Sequence, residues 1–160
     1  MPANEVNKMS PFNEAVGLKD IILYFIDAFY KATRRGIGRV RLMKLLFLLD
    51  YSYLKEKGKK ATKVDWIKWH YGPFSREVLD VLDELSIKGY VSIADSDEGI
   101  FYEPSEDVEY SIPYEIKILA DEIIHENKDI PLEDLLSKIY RIRNVRGKEL
   151  GERLFENDNF

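Results

Sequence analysis

Cysteine and glutamine are absent from the 160-residue chain, and histidine occurs only at His70 and His125. Without cysteine there is no disulfide, no thiol nucleophile and no thiolate-held zinc. The two histidines form no His-x-x-x-His or His-Glu-x-x-His pair, so the usual helical metal spacing is missing too. No cofactor is expected. No apolar run approaches the ~20 residues that a membrane span needs. The first eleven residues have neither a basic start nor an apolar core, so no signal peptide is expected and a cytoplasmic location is. Loss of thermolabile Cys and Gln beside abundant charge is the profile of a heat-adapted protein.

What is present describes a globular chain. Apolar residues make up 45% and charged residues 33%, a balance that folds and does not stay disordered. The length suits one domain with a sizeable core. Residues 1–14 are polar and aperiodic and read as a flexible lead-in, 15–155 as a single helical domain, and 156–160 as a frayed tail.

Hydrophobic spacing predicts a first helix over Leu18–Thr33, with Ile21, Ile22, Phe25, Ile26 and Phe29 on one stripe and glycine in Arg34–Gly38 ending it. A second helix, Arg39–Lys57, is apolar nearly all round and should be central. Arg41, Lys44, Leu48, Ser52 and Lys55 form a row on it that reads as its solvated edge. Gly58 breaks this helix. Val64–Tyr71 reads as one short strand stopped by Gly72-Pro73. Ser75 then caps a third helix to Lys88, with Phe74 and Leu79 placed as a hydrophobic staple. Tyr90–Ile93 and Ile100–Tyr102 read as a hairpin around an acidic turn. Helices starting near Pro113 and spanning Pro131–Asn144 complete the order. The fold expected is mainly α (α+β): a winged-helix-like core of three helices with a short strand and a β-hairpin, plus two C-terminal helices.

Several motif fragments fail. Gly36-Ile37-Gly38-Arg39-Val40-Arg41 begins like a dinucleotide loop but lacks the last glycine and a preceding strand. Asp95–Gly99 has its glycine one place early for a calcium loop and lacks flanking helices. Ser75 has no glycine framing as a nucleophile. No catalytic set emerges, although sequence alone does not show which carboxylates lie together.

Charge is segregated. Between Lys31 and Lys63 eleven basic residues face two acids, and between Ser92 and Glu126 eleven acids face one lysine. The basic block is either a phosphate-binding surface or a set of internal partners for the acidic half. As a nucleic-acid surface it would use Arg34, Arg35, Arg39, Arg41, Lys44, Lys59 and Lys60. The third helix and the hairpin, which a winged helix turns to DNA, are both acidic and wrong for phosphate.

The ordered set Arg41–Asp50, Gly58 and Trp69-His70-Tyr71-Gly72-Pro73-Phe74-Ser75 resembles the Panacea (SocA-type) antitoxin-domain family and is similar to YwgA-like proteins. Lys44, Leu45, Phe47, Gly58, Trp69, Gly72 and Pro73 carry the match, which covers residues 18–93 well and the C-terminal helices loosely. The resemblance implies a non-enzymatic module that binds and neutralises a toxin protein. Its contact surface would lie around Lys44, Trp69, Tyr71 and Phe74, with Gly58, Gly72, Pro73 and Ser75 shaping the backbone. Plain packing is the simpler reading of Trp69 and Phe74, as aromatics that fill the core around a turn shaped by Gly72 and Pro73. The alternative is a winged-helix-like DNA-binding regulator. The partner's identity and any homo-oligomer stay open in the sequence.

Overall fold

The computed structural model describes residues 11–156, with side chains from residue 17 onward. Of the flexible lead-in expected over 1–14, residues 1–10 lie outside the described residues and 11–14 belong to a helix, and of the tail expected over 156–160 only Glu156 is described. Helix α1 spans Pro11–Thr33 and so begins seven residues before the expected Leu18. Its apolar stripe is buried as the spacing requires, from Leu18 through Ile22 and Phe25 to Phe29.

Arg34, not a glycine, ends α1. It turns the chain at φ 61° and returns its N–H to Tyr30 O at 2.7 Å. The next glycines serve a different need. β1 (Ile37–Gly38) lies against β5 (Gly99–Pro104), and a Cβ on Gly36 would sit 3.0 Å from Tyr102 O. A larger residue there would press on the Tyr102 carbonyl of the neighbouring strand.

Helix α2 spans Arg39–Lys57, and Leu42 to Asp50 are buried without a gap. It touches α1, β1, both hairpins and the C-terminal helices, which is the central place its all-round apolar surface predicts. Gly58 closes it at φ 78°, with its N–H on Leu54 O.

Next come β2 (Ile67–Trp69) and β3 (Gly72–Phe74), an antiparallel pair. The single strand expected over Val64–Tyr71 is therefore a hairpin, and Gly72-Pro73 opens its return strand instead of stopping a strand. Helix α3 (Arg76–Ile87) comes directly after it, and Ser75 Oγ accepts from Val78 N at 3.3 Å.

β4 (Val91–Ser96) and β5 form the second hairpin, longer than expected because only Asp97-Glu98 make its turn. The sheet order is β1-β5-β4. The architecture is thus mixed, helices with two small antiparallel sheets.

Helix α4 spans Tyr114–Asn127 behind Pro113. The helix expected over Pro131–Asn144 is divided into α5 (Leu132–Tyr140) and α6 (Arg143–Arg146). Ile142 is extended at the break, which turns Asn144 and Val145 into the core. Leu132, the first residue of α5, is 37% exposed.

Beyond α6 the chain returns to β2. Gly151 N donates to Lys68 O, Lys68 N to Glu152 O and Leu154 N to Trp66 O. Leu154 is buried, and Phe155 stacks on Phe47 at 5.1 Å. Lifting residues 151–155 away would leave that apolar pair in water. Among the described residues no helix is long and apolar enough to cross a membrane.

Candidate functional site

The β2–β3 hairpin is short, and its neighbours hold it. His70 and Tyr71 make the turn between the paired Trp69 and Gly72. Gly72 lies at φ 93°, a conformation that closes such turns and that a side chain would strain. Pro73 has no N–H to offer, and its carbonyl accepts from Lys44 Nζ at 2.8 Å. Tyr140 OH donates to His70 O at 3.2 Å. With residues 151–154 along β2, the hairpin is fixed from α2, from α5 and from the C-terminal segment.

Lys44 is 3% exposed. Among the described residues no carboxylate lies within ion-pair distance of it. Burial pushes its pKa down to about 8, because a low-dielectric surrounding disfavours the charged form. Its methylenes pack beside Gly72, 3.6 Å from where a Cβ would stand.

The hairpin, α2 and α3 enclose an open cavity of ≈150 Å³. Arg39, Val40, Met43 and Lys44 line it from α2, Trp69, Tyr71, Gly72 and Phe74 from the hairpin, and Leu79 from α3. The structure therefore brings Lys44, Trp69, Tyr71 and Phe74 together around one concavity. Trp69 is 42% and Tyr71 65% exposed at its rim, whereas Phe74 is half-buried against the core. The Trp69 ring also meets His70, with centroids 4.7 Å apart. Exposed aromatic rings on a held backbone can bury large area against another surface with little ordering cost.

The basic residues do not gather in this way. The row expected as the solvated edge of α2 is covered over its first part, with Lys44 and Leu48 buried and Arg41 and Ser52 half-buried, and Lys55 at its end is exposed. Arg41 donates to Asn127 O at 2.8 Å and Ile130 O at 2.7 Å, so it clamps the α4–α5 connection. Burial lowers its pKa, and the nearby Arg35 charge adds to that. Arg35 faces Asp129 at 3.7 Å. Arg39 Nε donates to Tyr102 OH at 2.8 Å, and its Nη2 stands 4.0 Å from Asp83. Arg34 leans over the Tyr30 ring, and Lys57 pairs with Glu115. Lys59 and Lys60 line a different cleft of ≈490 Å³ with buried Asp20, and Lys60 also donates to Val64 O. Among the described ion pairs, Lys57–Glu115 joins the two charge blocks, whereas Lys31, Arg35 and Arg39 pair with acids outside the acidic block.

One residue with a large structural task was not singled out by sequence reasoning. Asp50 is fully buried, and its carboxylate accepts from Thr62 N (2.8 Å), Thr62 Oγ1 (2.5 Å) and Trp66 Nε1 (2.8 Å). Burial raises its pKa, and the three donors oppose that rise. The available signal was a lone acid inside the most apolar stretch of the chain. A second polar set, Tyr110 on Asp27 and Tyr24 on Asp121, ties α1 to the β5–α4 connection and to α4 itself. Of the histidines, His70 is exposed at the turn and His125 is exposed in the last turn of α4.

Fold and site together define a mixed helical domain whose open apolar cavity is framed by a buried lysine and exposed aromatics. The profile of the family described as antitoxin SocA-like, Panacea domain, matches residues 42–144, and the chain belongs to that family. The matched stretch runs from α2 into α6, so it includes the C-terminal helices and leaves out α1. It contains the whole cavity except Arg39 and Val40. No curated protein and no solved structure matches the chain significantly.

Proposed function

We propose that the chain is a non-enzymatic protein-interaction module of antitoxin type, acting in the cytoplasm, that binds and neutralises a toxin protein. The contact face is the hairpin rim, Trp69, Tyr71 and Phe74, with Lys44 holding that rim from beneath through Pro73. The observation that supports this most is the exposure of two large aromatics beside an apolar cavity, within the stretch that defines the family. A rigid aromatic anchor next to a concavity is the usual centre of a protein–protein contact.

The test is co-expression with toxic proteins encoded near family members, read as growth rescue and as co-purification. Trp69→Ala with Tyr71→Ala should lose both while melting as the parent does. Undiminished rescue by that double variant would sink the assignment of the face, and no rescue of any such toxin by the parent would sink the function.

A DNA-binding reading has one observation in its favour. The order α1-β1-α2-β2-β3-α3-β4-β5 with sheet order β1-β5-β4 is compatible with a winged helix carrying an extra hairpin before α3, a reading that would put α3 in the recognition position and make β4–β5 the wing. Charge weighs against it, since both elements are acidic, and Arg41 and Lys44 of the basic block are committed to backbone carbonyls within the fold. Retardation of duplex DNA at low salt that vanishes in Arg34→Ala/Arg35→Ala would restore it.

A further inference from the structure

The cavity beside the hairpin is lined almost wholly by carbon, from Val40, Met43, Phe74, Leu79 and the two rim aromatics. Strand addition to this hairpin is blocked. Residues 151–154 occupy the edge of β2, and the Pro73 carbonyl of β3 is held by Lys44. A visiting protein therefore meets side chains here, not free backbone.

Among the residues lining the cavity, Arg39 has binding capacity to spare. Its Nε is committed to Tyr102, but its terminal nitrogens are met only by Asp83 at 4.0 Å, and Asp83 is 65% exposed. Lys44 adds a second positive charge beneath the floor, with Pro73 O as its acceptor. The carbon-lined space is thus bordered by Arg39, whose ion pair with exposed Asp83 is long, and by Lys44, which has no carboxylate partner among the described residues. A volume of ≈150 Å³ suits one large side chain, since an apolar cavity of about that size accepts benzene.

We infer that this cavity takes one large apolar side chain of the partner together with an adjacent partner carboxylate, which docks on Arg39. The inference rests on the interaction reading above and names the chemistry that the face selects: an acidic–apolar segment. A guanidinium fork matches a carboxylate in two-point geometry, and a neighbouring apolar anchor desolvates the pair.

The probe is N-acetyl-L-phenylalanine, with its amide and sodium acetate as controls. Each is titrated into the full chain while the two tryptophan indole N–H signals are followed by NMR. Trp66 is buried and serves as the internal reference. The acid should shift the Trp69 signal saturably with a Kd on the order of 1 mM, as expected for so small a ligand. The amide should bind at least threefold more weakly, and acetate should leave the signal unmoved. Arg39→Gln should erase the difference between acid and amide. Asp83→Asn, which removes the competing carboxylate from an exposed site, should tighten the acid about twofold and keep the fold intact. No saturable shift, or equal binding of acid and amide to the parent, overturns the inference. If rescue is lost on changing Trp69 and Tyr71 while acid and amide bind alike, only the partner chemistry is wrong. If the acid binds as expected but rescue survives those changes, the neutralisation reading of this face is the one that fails.

Discussion

Trp66 is 1% exposed and gives its indole N–H to Asp50 at 2.8 Å, whereas Trp69, three residues on, is 42% exposed at the rim of a cavity. The two regions around them are built differently. Around Trp66 a buried carboxylate collects three donors and ties α2 to the segment leading into β2. Around Trp69 the backbone is pinned by Lys44, Tyr140 and the C-terminal segment, and the ring itself is left free. Burial of the same side chain is decided by the polar partner available for its N–H. One region holds the fold, and the other is held by it.

The largest effects belong to the buried region. Asp50→Ala leaves Thr62 and Trp66 donors without acceptors in the core and should destabilise the domain by ~3–5 kcal/mol. Trp66→Ala should lose a similar ~3–5 kcal/mol through the cavity it opens. Urea denaturation measures both. If Trp69→Ala proved as damaging as either, the contrast would be gone.

Lys44 sharpens the comparison through pH. Its folded pKa of about 8 lies below the ordinary 10.5. Between those values the unfolded chain holds a proton that the folded chain has released, so stability should rise with pH across that window and change little below it. The limit of that rise is ~3 kcal/mol. Lys44→Met should flatten it, as urea midpoints at pH 7.5, 9 and 10 would report. Parallel slopes in the two proteins would show that the ammonium is better solvated than its burial implies.

Ser75 joins the two regions, since it caps α3 directly after the hairpin. Ser75→Ala should lower stability by ~1 kcal/mol, the usual effect of a lost N-cap. In a domain of this size that is about 2–4 °C in Tm. The smallest stability change is expected at the rim. Trp69→Ala should shift stability by less than ~0.5 kcal/mol. It should nevertheless weaken partner capture at least tenfold, the loss expected of a hot-spot aromatic. Calorimetry and pull-down on the same preparation separate the two readouts.

Much of this was legible along the chain. The apolar coverage of α2 placed it at the centre, and Gly58 and Ser75 marked its end and the next helix start through local chemistry. The family resemblance rested on the Lys44-to-Pro73 pattern and held. The errors had tertiary causes. Gly36 and Gly38 looked like a helix stop or a broken phosphate loop because close approach to Tyr102 and Phe101 is invisible locally. Gly72-Pro73 looked like a strand end because its partner strand is only three residues long. The basic row on α2 looked solvated because its covers, Pro73 and the α4–α5 connection, come from far along the chain.

The sequence by itself determined that this is a cysteine-free, mainly helical domain of the Panacea family with a capped helix after an aromatic turn. Those features depend on spacing, on side-chain hydrogen bonding within a few residues and on glycine and proline backbone limits, all of which act locally. Only the tertiary structure decided that Lys44 is buried, that Trp66 and not Trp69 fills the core, and that Trp69, Tyr71 and Phe74 share one cavity. Those outcomes depend on which distant groups remove water from each side chain, and no local pattern encodes that.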